Sequence, residues 1–465
     1  MAQLKRQLST RHLSMIALGG SLGTGIYLTS GTALHMAGPA GALLAYLVMG
    51  LIVYFLMNSL GEMSAYRPVS GSFCQYSSDY VSKPFGFAMG YNYWFNWAIT
   101  VAVELVASAL IMGYWFPHVA PIDWCILFFA GIFLLNILSV RNYGESQYWL
   151  SVVKVGAILV FIAVGIFVLV SHHATHKDFG FHLWTIDGGP FHGGISSIFQ
   201  VFLLAGFAFQ GTELIGVAAG ESKDPQHSIP KAVKQIFWRI LLFYVVTMAI
   251  ISLLIPYTDP HLLNPGNNIN LSPFTLVFTM AGFHYAASIM NFVILLALLS
   301  ACNADLYSAT RILWHLGEAG SAPKSFAKIN RYGIPIYALL ITAAFGLLAF
   351  VCDLFGNTKV FLILVNISSL AGFFAWIGIA VSHLGFRKHY LAAGNKLADL
   401  PFKARFYPWG PIVAIIICVT VMAGQWYLLL LDDTLTWQTL LLTYIGVPAV
   451  LLLWLGNKIY RARRL

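Results

Sequence analysis

The chain has 465 residues, of which 59% are hydrophobic and only 9% charged, against roughly a quarter charged in a soluble domain. Water is excluded as the solvent for such a surface. Backbone groups in lipid must be satisfied within the spanning structure, so apolar runs of this length point to helices rather than strands.

About twelve blocks of some 20 apolar residues follow one another, each long enough to cross a bilayer core of about 30 Å. They predict an all-α integral membrane protein with spans near 13–38, 41–65, 87–117, 122–140, 145–170, 192–220, 234–257, 284–316, 334–352, 358–386, 408–431 and 436–460. Arg11 and His12 lead directly into the first block, and no small-residue cleavage site follows a short apolar core. The first block is therefore expected to remain as a span and not to be removed as a signal peptide. It is interrupted near its middle by Gly19, Gly20, Ser21, Leu22, Gly23, Thr24 and Gly25. The third block carries Trp94, Asn96, Trp97 and Glu104, and the fifth carries Lys154. The sixth is interrupted by Gly206, Phe207, Ala208, Phe209, Gln210, Gly211, Thr212 and Glu213. The eighth carries Asp305, while Glu62 and Glu221 fall near block ends.

Lys and Arg set the orientation. With the N-terminus cytoplasmic, all but three of the 26 fall on the cytoplasmic side; Lys177 and Lys359 fall outside, and Lys154 alone is placed at depth. The positive-inside rule then puts both termini in the cytoplasm. The net charge of +9 follows from this topology and gives no support to nucleic-acid binding. The five cysteines, Cys74, Cys125, Cys302, Cys352 and Cys418, have no metal or redox spacing and read as packing residues. His172, His173 and His176 read as solvated residues of the outer loop after the fifth block.

Two broken helices separated by five spans are the pattern of two inverted five-helix repeats with a substrate between them at the membrane midplane. The competing reading of the glycines is close helix packing. Unwinding frees N–H groups at the positive end of the second half-helix, where a carboxylate is well held, and frees carbonyls that accept from an ammonium. An α-amino acid offers both groups. Ionisable residues within the membrane mark sites or pathways by default, and the surplus of acids at depth favours a cationic side chain. Glu213 and Glu104 are candidate substrate contacts or, alternatively, structural bonding partners. Lys154 offers a site of proton exchange or a fixed cation bonded to the first span. Phe207 and Phe209 read equally as an aromatic gate or as packing. Asp305 is left open, as a residue that only lines an exit path remains an alternative.

The stretches M-I-A-L-G-G-S-L-G-T-G-I from Met15, L-G-E-M-S-A-Y-x-P-V-S-G-S-F from Leu60, F-x-F-Q-G-T-E-L-I-G-V-A-A-G-E from Phe207 and F-W-R-I-L-L-F-Y from Phe237 closely resemble bacterial amino-acid permeases of the amino acid, polyamine and organocation superfamily, and within it those specific for lysine. The resemblance implies a LeuT-like core over residues 1–390, with a cytoplasmic loop and two peripheral helices in 391–465. It also implies proton-driven uptake of L-lysine across the bacterial inner membrane, with no cofactor beyond the proton gradient. By position, Gly20, Ser21, Gly23, Thr24 and Gly25 correspond to a carboxylate cradle. Phe207, Phe209, Gln210 and Gly211 correspond to the amino-group and gate segment, Glu104 and Glu213 to acidic site residues, Asn303 to a further substrate contact, and Lys154, with Glu213, to the proton-handling group. The chain departs from the family at Cys302 and Asp305, where glycine is usual. Other amino acids (arginine, histidine or a neutral one) remain alternatives as substrate, and so does an additional sensing role through a membrane partner. No enzymatic constellation is present in the sequence.

Overall fold

At Gly23 the backbone of the computed structural model leaves helical geometry (φ −148°, ψ −144°), and α1 follows it as a single turn, Thr24–Tyr27. The structure describes residues 11, 14–15, 22–69, 71–138, 143–173, 179–262, 272–280, 282, 284–330, 333–351, 357–431 and 444–462. Gly19 of the first interruption and Gly20 and Ser21 of the expected cradle lie outside them, as do Cys352 and His176. Helix α2, Thr29–Tyr66, holds the end of the first predicted span and the whole of the second, joined with no loop at Gly38. Gly38 takes φ +72° and is followed by Pro39. This left-handed residue is accessible to glycine at little cost, and proline is well placed at the start of the next helical stretch.

A short helix that hydropathy does not reveal, α3 (Ser72–Tyr80), leads to α4 (Lys83–Met112). The α4 N-terminus is capped by Ser82, whose Oγ accepts from Phe85 N–H at 3.3 Å. Helix α4 is the central post, its apolar window 94% buried. Helices α5 (Pro121–Leu138) and α6 (Tyr143–His173) follow, so His172 and His173 end a helix and do not belong to the loop. Both helices turn apolar residues outward, among them Ile126, Leu127, Leu134, Phe167 and Val170, as a lipid-facing surface requires. Helix α7 (Gly194–Phe209) stops at the second sequence break and resumes as α8 (Leu214–Ala218).

Next, α9 (Pro225–Arg239) passes through a π-helical turn, Ile240–Val246, into α10 (Thr247–Leu254). The helix starts nine residues earlier than the hydropathy suggests, which corrects one reading of the charges. Arg239 is not a cytoplasmic residue but fully buried, about 21 Å along the helix from Pro225. Lys154 is therefore not the sole base at depth. A second unpredicted helix, α11 (Pro273–Met280), precedes α12 (His284–Glu318), α13 (Ile336–Gly346, extended by a 3₁₀ turn to Val351), α14 (Asn357–Ala392), α15 (Trp409–Leu431) and α16 (Gly446–Ala462). Helices α12 and α14 pack along α4, and α7 packs on α2 and α14. Among the described residues, eight helices are long and apolar enough to cross a membrane, two shorter apolar helices accompany them, and there is no β-strand.

Candidate functional site

The two breaks face each other. A Cβ on Gly25 would fall on the backbone of Ala208, so the first turn of α1 lies against the last turns of α7 with no side chain between them. In the second break Gln210 leaves helical geometry with ψ 153°, and Gly211 takes φ +86°. Thr212 Oγ1 donates back to Phe209 O at 2.6 Å, closing the end of α7.

Each break is held by a buried carboxylate. Glu104 Oε1 accepts from Thr24 N–H at 3.2 Å and Oε2 from Thr24 Oγ1 at 2.7 Å, so Glu104 caps α1 from α4. A Cβ on Gly23 would meet Glu104 Oε1 at 2.7 Å; the glycine here makes room for the protein's own carboxylate. Glu213 Oε1 accepts from Gly211 N–H at 3.2 Å and, more loosely, from Tyr93 OH at 3.5 Å. Its Oε2 accepts from Trp376 Nε1, also at 3.5 Å. The two acids therefore differ. Glu104 is bound in a short, two-point cap, whereas Glu213 keeps long bonds and spare lone pairs.

Gln210 ties the second break to two other helices. Its Nε2 donates to Ser368 O at 3.1 Å, and its Oε1 accepts from Asn96 Nδ2 at 3.0 Å. Ser368 Oγ donates to Asn96 Oδ1 at 2.8 Å, which closes a ring of α4, α14 and the break. A satisfied buried network of this kind fixes geometry. Phe209 is fully buried, its ring 4.2 Å from that of Tyr244 and 6.1 Å from that of Tyr46. Arg239 Nη2 donates to Tyr244 OH at 3.0 Å, so the π-helical turn stands directly behind the break. Phe207 is buried on the same half-helix. Hydropathy could not reveal Arg239, Tyr244 or Trp376; the strongly matching F-W-R-I-L-L-F-Y stretch was a signal for the first two, and Trp376 had none.

Lys154 is 1% exposed, and its Nζ has no hydrogen-bond partner among the described residues. Tyr27 OH donates to the Lys154 carbonyl at 3.0 Å, placing the residue beside α1 as the sequence suggested. Asp305 is 4% exposed with Oδ2 also unpartnered, and Lys154, Glu104 and Asp305 lie close enough to feel one another's charge. Asn303, expected among the substrate contacts, is not brought to the breaks. Its Oδ1 accepts from Asn136 Nδ2 of α5 at 2.8 Å, and the side chain is only partly buried. Asn303 and Asp305 are two residues apart, about 200° around the helix, so they sit on nearly opposite faces of α12. Among the described residues no group of three or more His, Cys, Asp or Glu is placed to hold a metal ion.

The sequence matches the family described as amino acid permease over residues 12–465. The chain belongs to that family. This permease is 51% identical over 459 residues to the lysine-specific permease LysP of Escherichia coli (strain K12), covering 98% of the present chain and 94% of the relative. It is 47% identical to the lysine-specific permease LysP of Lactococcus lactis subsp. cremoris (strain MG1363), covering 98% and 90%. The histidine permease HisP of the same Lactococcus strain is 46% identical, with 98% and 95% covered. The permease is thus a multi-pass membrane transporter of amino acids and not an enzyme.

Proposed function

We propose that this permease imports L-lysine with a proton by alternating access, through twelve crossings, with a ten-helix inverted-repeat core in residues 1–390 and both termini in the cytoplasm. The observation that carries the reading is the apposition of two helix breaks, each with its own buried acid, at Gly25 and Ala208. Between such breaks a zwitterion finds N–H groups for its carboxylate and carbonyls for its ammonium. Lysine carries a second ammonium, and Glu213, with long bonds to Tyr93 and Trp376, has the lone pairs to receive it. Glu104 is committed to Thr24 and shapes the break. The relatives named as lysine-specific, at 51% and 47% identity, support the choice of substrate, and a buried base, Lys154, unpartnered beside α1, supports proton coupling.

The histidine permease at 46% keeps histidine as the second reading. Purified protein in proteoliposomes should concentrate labelled lysine under an inward pH gradient at zero membrane potential. Excess lysine should block that uptake far better than excess histidine or arginine. Uptake that ignores the pH gradient would remove proton coupling, and stronger competition by histidine would reassign the substrate.

A further inference from the structure

Two buried atoms of opposite charge type, Lys154 Nζ on α6 and Asp305 Oδ2 on α12, have no hydrogen-bond partner among the described residues. Leaving a buried charged group unpartnered is costly, more so than for a neutral donor or acceptor. The two side chains are 1% and 4% exposed, so bulk water does not satisfy them. They lie within reach of each other's charge, and α12 packs against α6. Among the described residues, the two acids at the breaks are bonded: Glu104 to Thr24, and Glu213 to Gly211, Tyr93 and Trp376.

We infer that Asp305 and Lys154 form the proton site of this permease, in which the transported proton rides on the Asp305 carboxyl while Lys154 stays an ammonium. The inference rests on the proton-coupled reading above and names its carrier. With Asp305 ionised, its carboxylate and the Lys154 ammonium satisfy each other across α6 and α12. A proton arriving from outside adds to Oδ2, and the neutral carboxyl no longer holds the ammonium. Lys154 is then free to turn to the carbonyls of the broken first span, on the side where Tyr27 already bonds its backbone. Release of the proton to the cytoplasm restores the ion pair, so one proton crosses per cycle and no other co-reactant is needed. The groups that face this pair are Glu104 of α4, Glu213 of the second break, Arg239 at the end of α9 and Cys302 on α12 itself. Of these, Glu104 and Glu213 are held by donors of their own, and Arg239 by Tyr244. Asp305 is the acid left with an open oxygen.

The test uses the full chain in proteoliposomes. Asp305→Asn keeps the shape and mimics the protonated carboxyl. It should abolish lysine accumulation driven by a pH gradient and lysine-dependent proton uptake read by an internal pH dye. Lysine counterflow, which needs no net proton movement, should stay within about threefold of native and lose its pH dependence. Asp305→Glu restores an ionisable group and should recover part of the accumulation, which separates loss of the proton from loss of the fold. Native accumulation and proton uptake by Asp305→Asn would overturn the inference. If Asp305→Asn behaves as native while Lys154→Arg loses accumulation, the proton-coupled reading stands with Lys154 as carrier and Asp305 is excluded. If the native protein itself moves no proton with lysine, the underlying reading fails instead.

Discussion

Glu104 and Glu213 are the same residue type, each buried beside a helix break, yet their surroundings assign them different work. The 2.7 Å bond from Thr24 Oγ1 and the backbone bond from Thr24 N–H use both oxygens of Glu104, so its removal loosens the start of α1. A glutamine retains most of this, because its carbonyl accepts from the backbone and the threonine hydroxyl can turn to accept from its NH₂. Glu104→Gln is therefore expected to bind lysine within about threefold of native. Glu213 is the acid assigned to the substrate ammonium, and truncating one side of a desolvated charge pair costs about 2 to 5 kcal/mol. Glu213→Gln should weaken lysine binding at least about thirtyfold. Calorimetry on the detergent-solubilised protein decides between them; equal losses in both variants would return Glu104 to the binding site.

Gly38 is where one residue takes the place of a loop. At φ +72° any other residue is strained, and a Cβ would also meet Pro190 O at 2.7 Å. Gly38→Ala should cost more than the roughly 1 to 3 kcal/mol of the backbone conformation alone and lower the midpoint of thermal unfolding in detergent, while Gly446→Ala, with nothing near its Cβ, should not. The turn was half legible in sequence: two spans were separable because Gly38 and Pro39 punctuate them, but nothing in hydropathy says that they touch. The two breaks were legible for the same reason, as glycines and polar residues inside apolar runs. Arg239 was not, because the polar first turns of α9, from Pro225 to Lys234, read as loop until the helix is seen to pass through them. Asn303 was misplaced for a rotational reason: near a predicted site in sequence, it sits on the α12 face turned to Asn136, and hydropathy carries no information about that angle in a helix apolar all round. The partners of Glu104 and Glu213 lie up to 163 residues away, beyond any local pattern.

At the scale of the whole molecule, one ion pair ties α2 to α14. Arg387 donates through Nε and, at 2.6 Å, through Nη2 to Glu62, whose Oε2 also accepts from Ala404 N–H at 2.6 Å. Tyr407 covers the guanidinium at 4.6 Å, and His383 Nε2 approaches Glu62 at 3.2 Å without the alignment of a hydrogen bond. Both acid and base are buried, which places Arg387 inside the protein and not among the exposed cytoplasmic charges. The segment that joins α14 to α15 is thereby fastened to the end of α2, a helix that also carries α7 and so the second break. Removing one partner of a buried pair leaves the other charge without a counter-ion and typically costs about 3 to 5 kcal/mol, whereas replacing both by apolar residues is often close to neutral. Glu62→Met and Arg387→Met should each lower the unfolding midpoint strongly, and the double variant should regain most of the loss. Because the carboxylate is also bonded to a main-chain N–H and the guanidinium is covered by a ring, the tie is expected to hold as a fixed strut while substrate is exchanged. Lysine counterflow by the double variant should then run within about twofold of native. A double variant that is stable yet exchanges lysine many times faster or slower would show instead that the pair opens and closes with each turnover, and that α2 and α14 part at this end of the molecule.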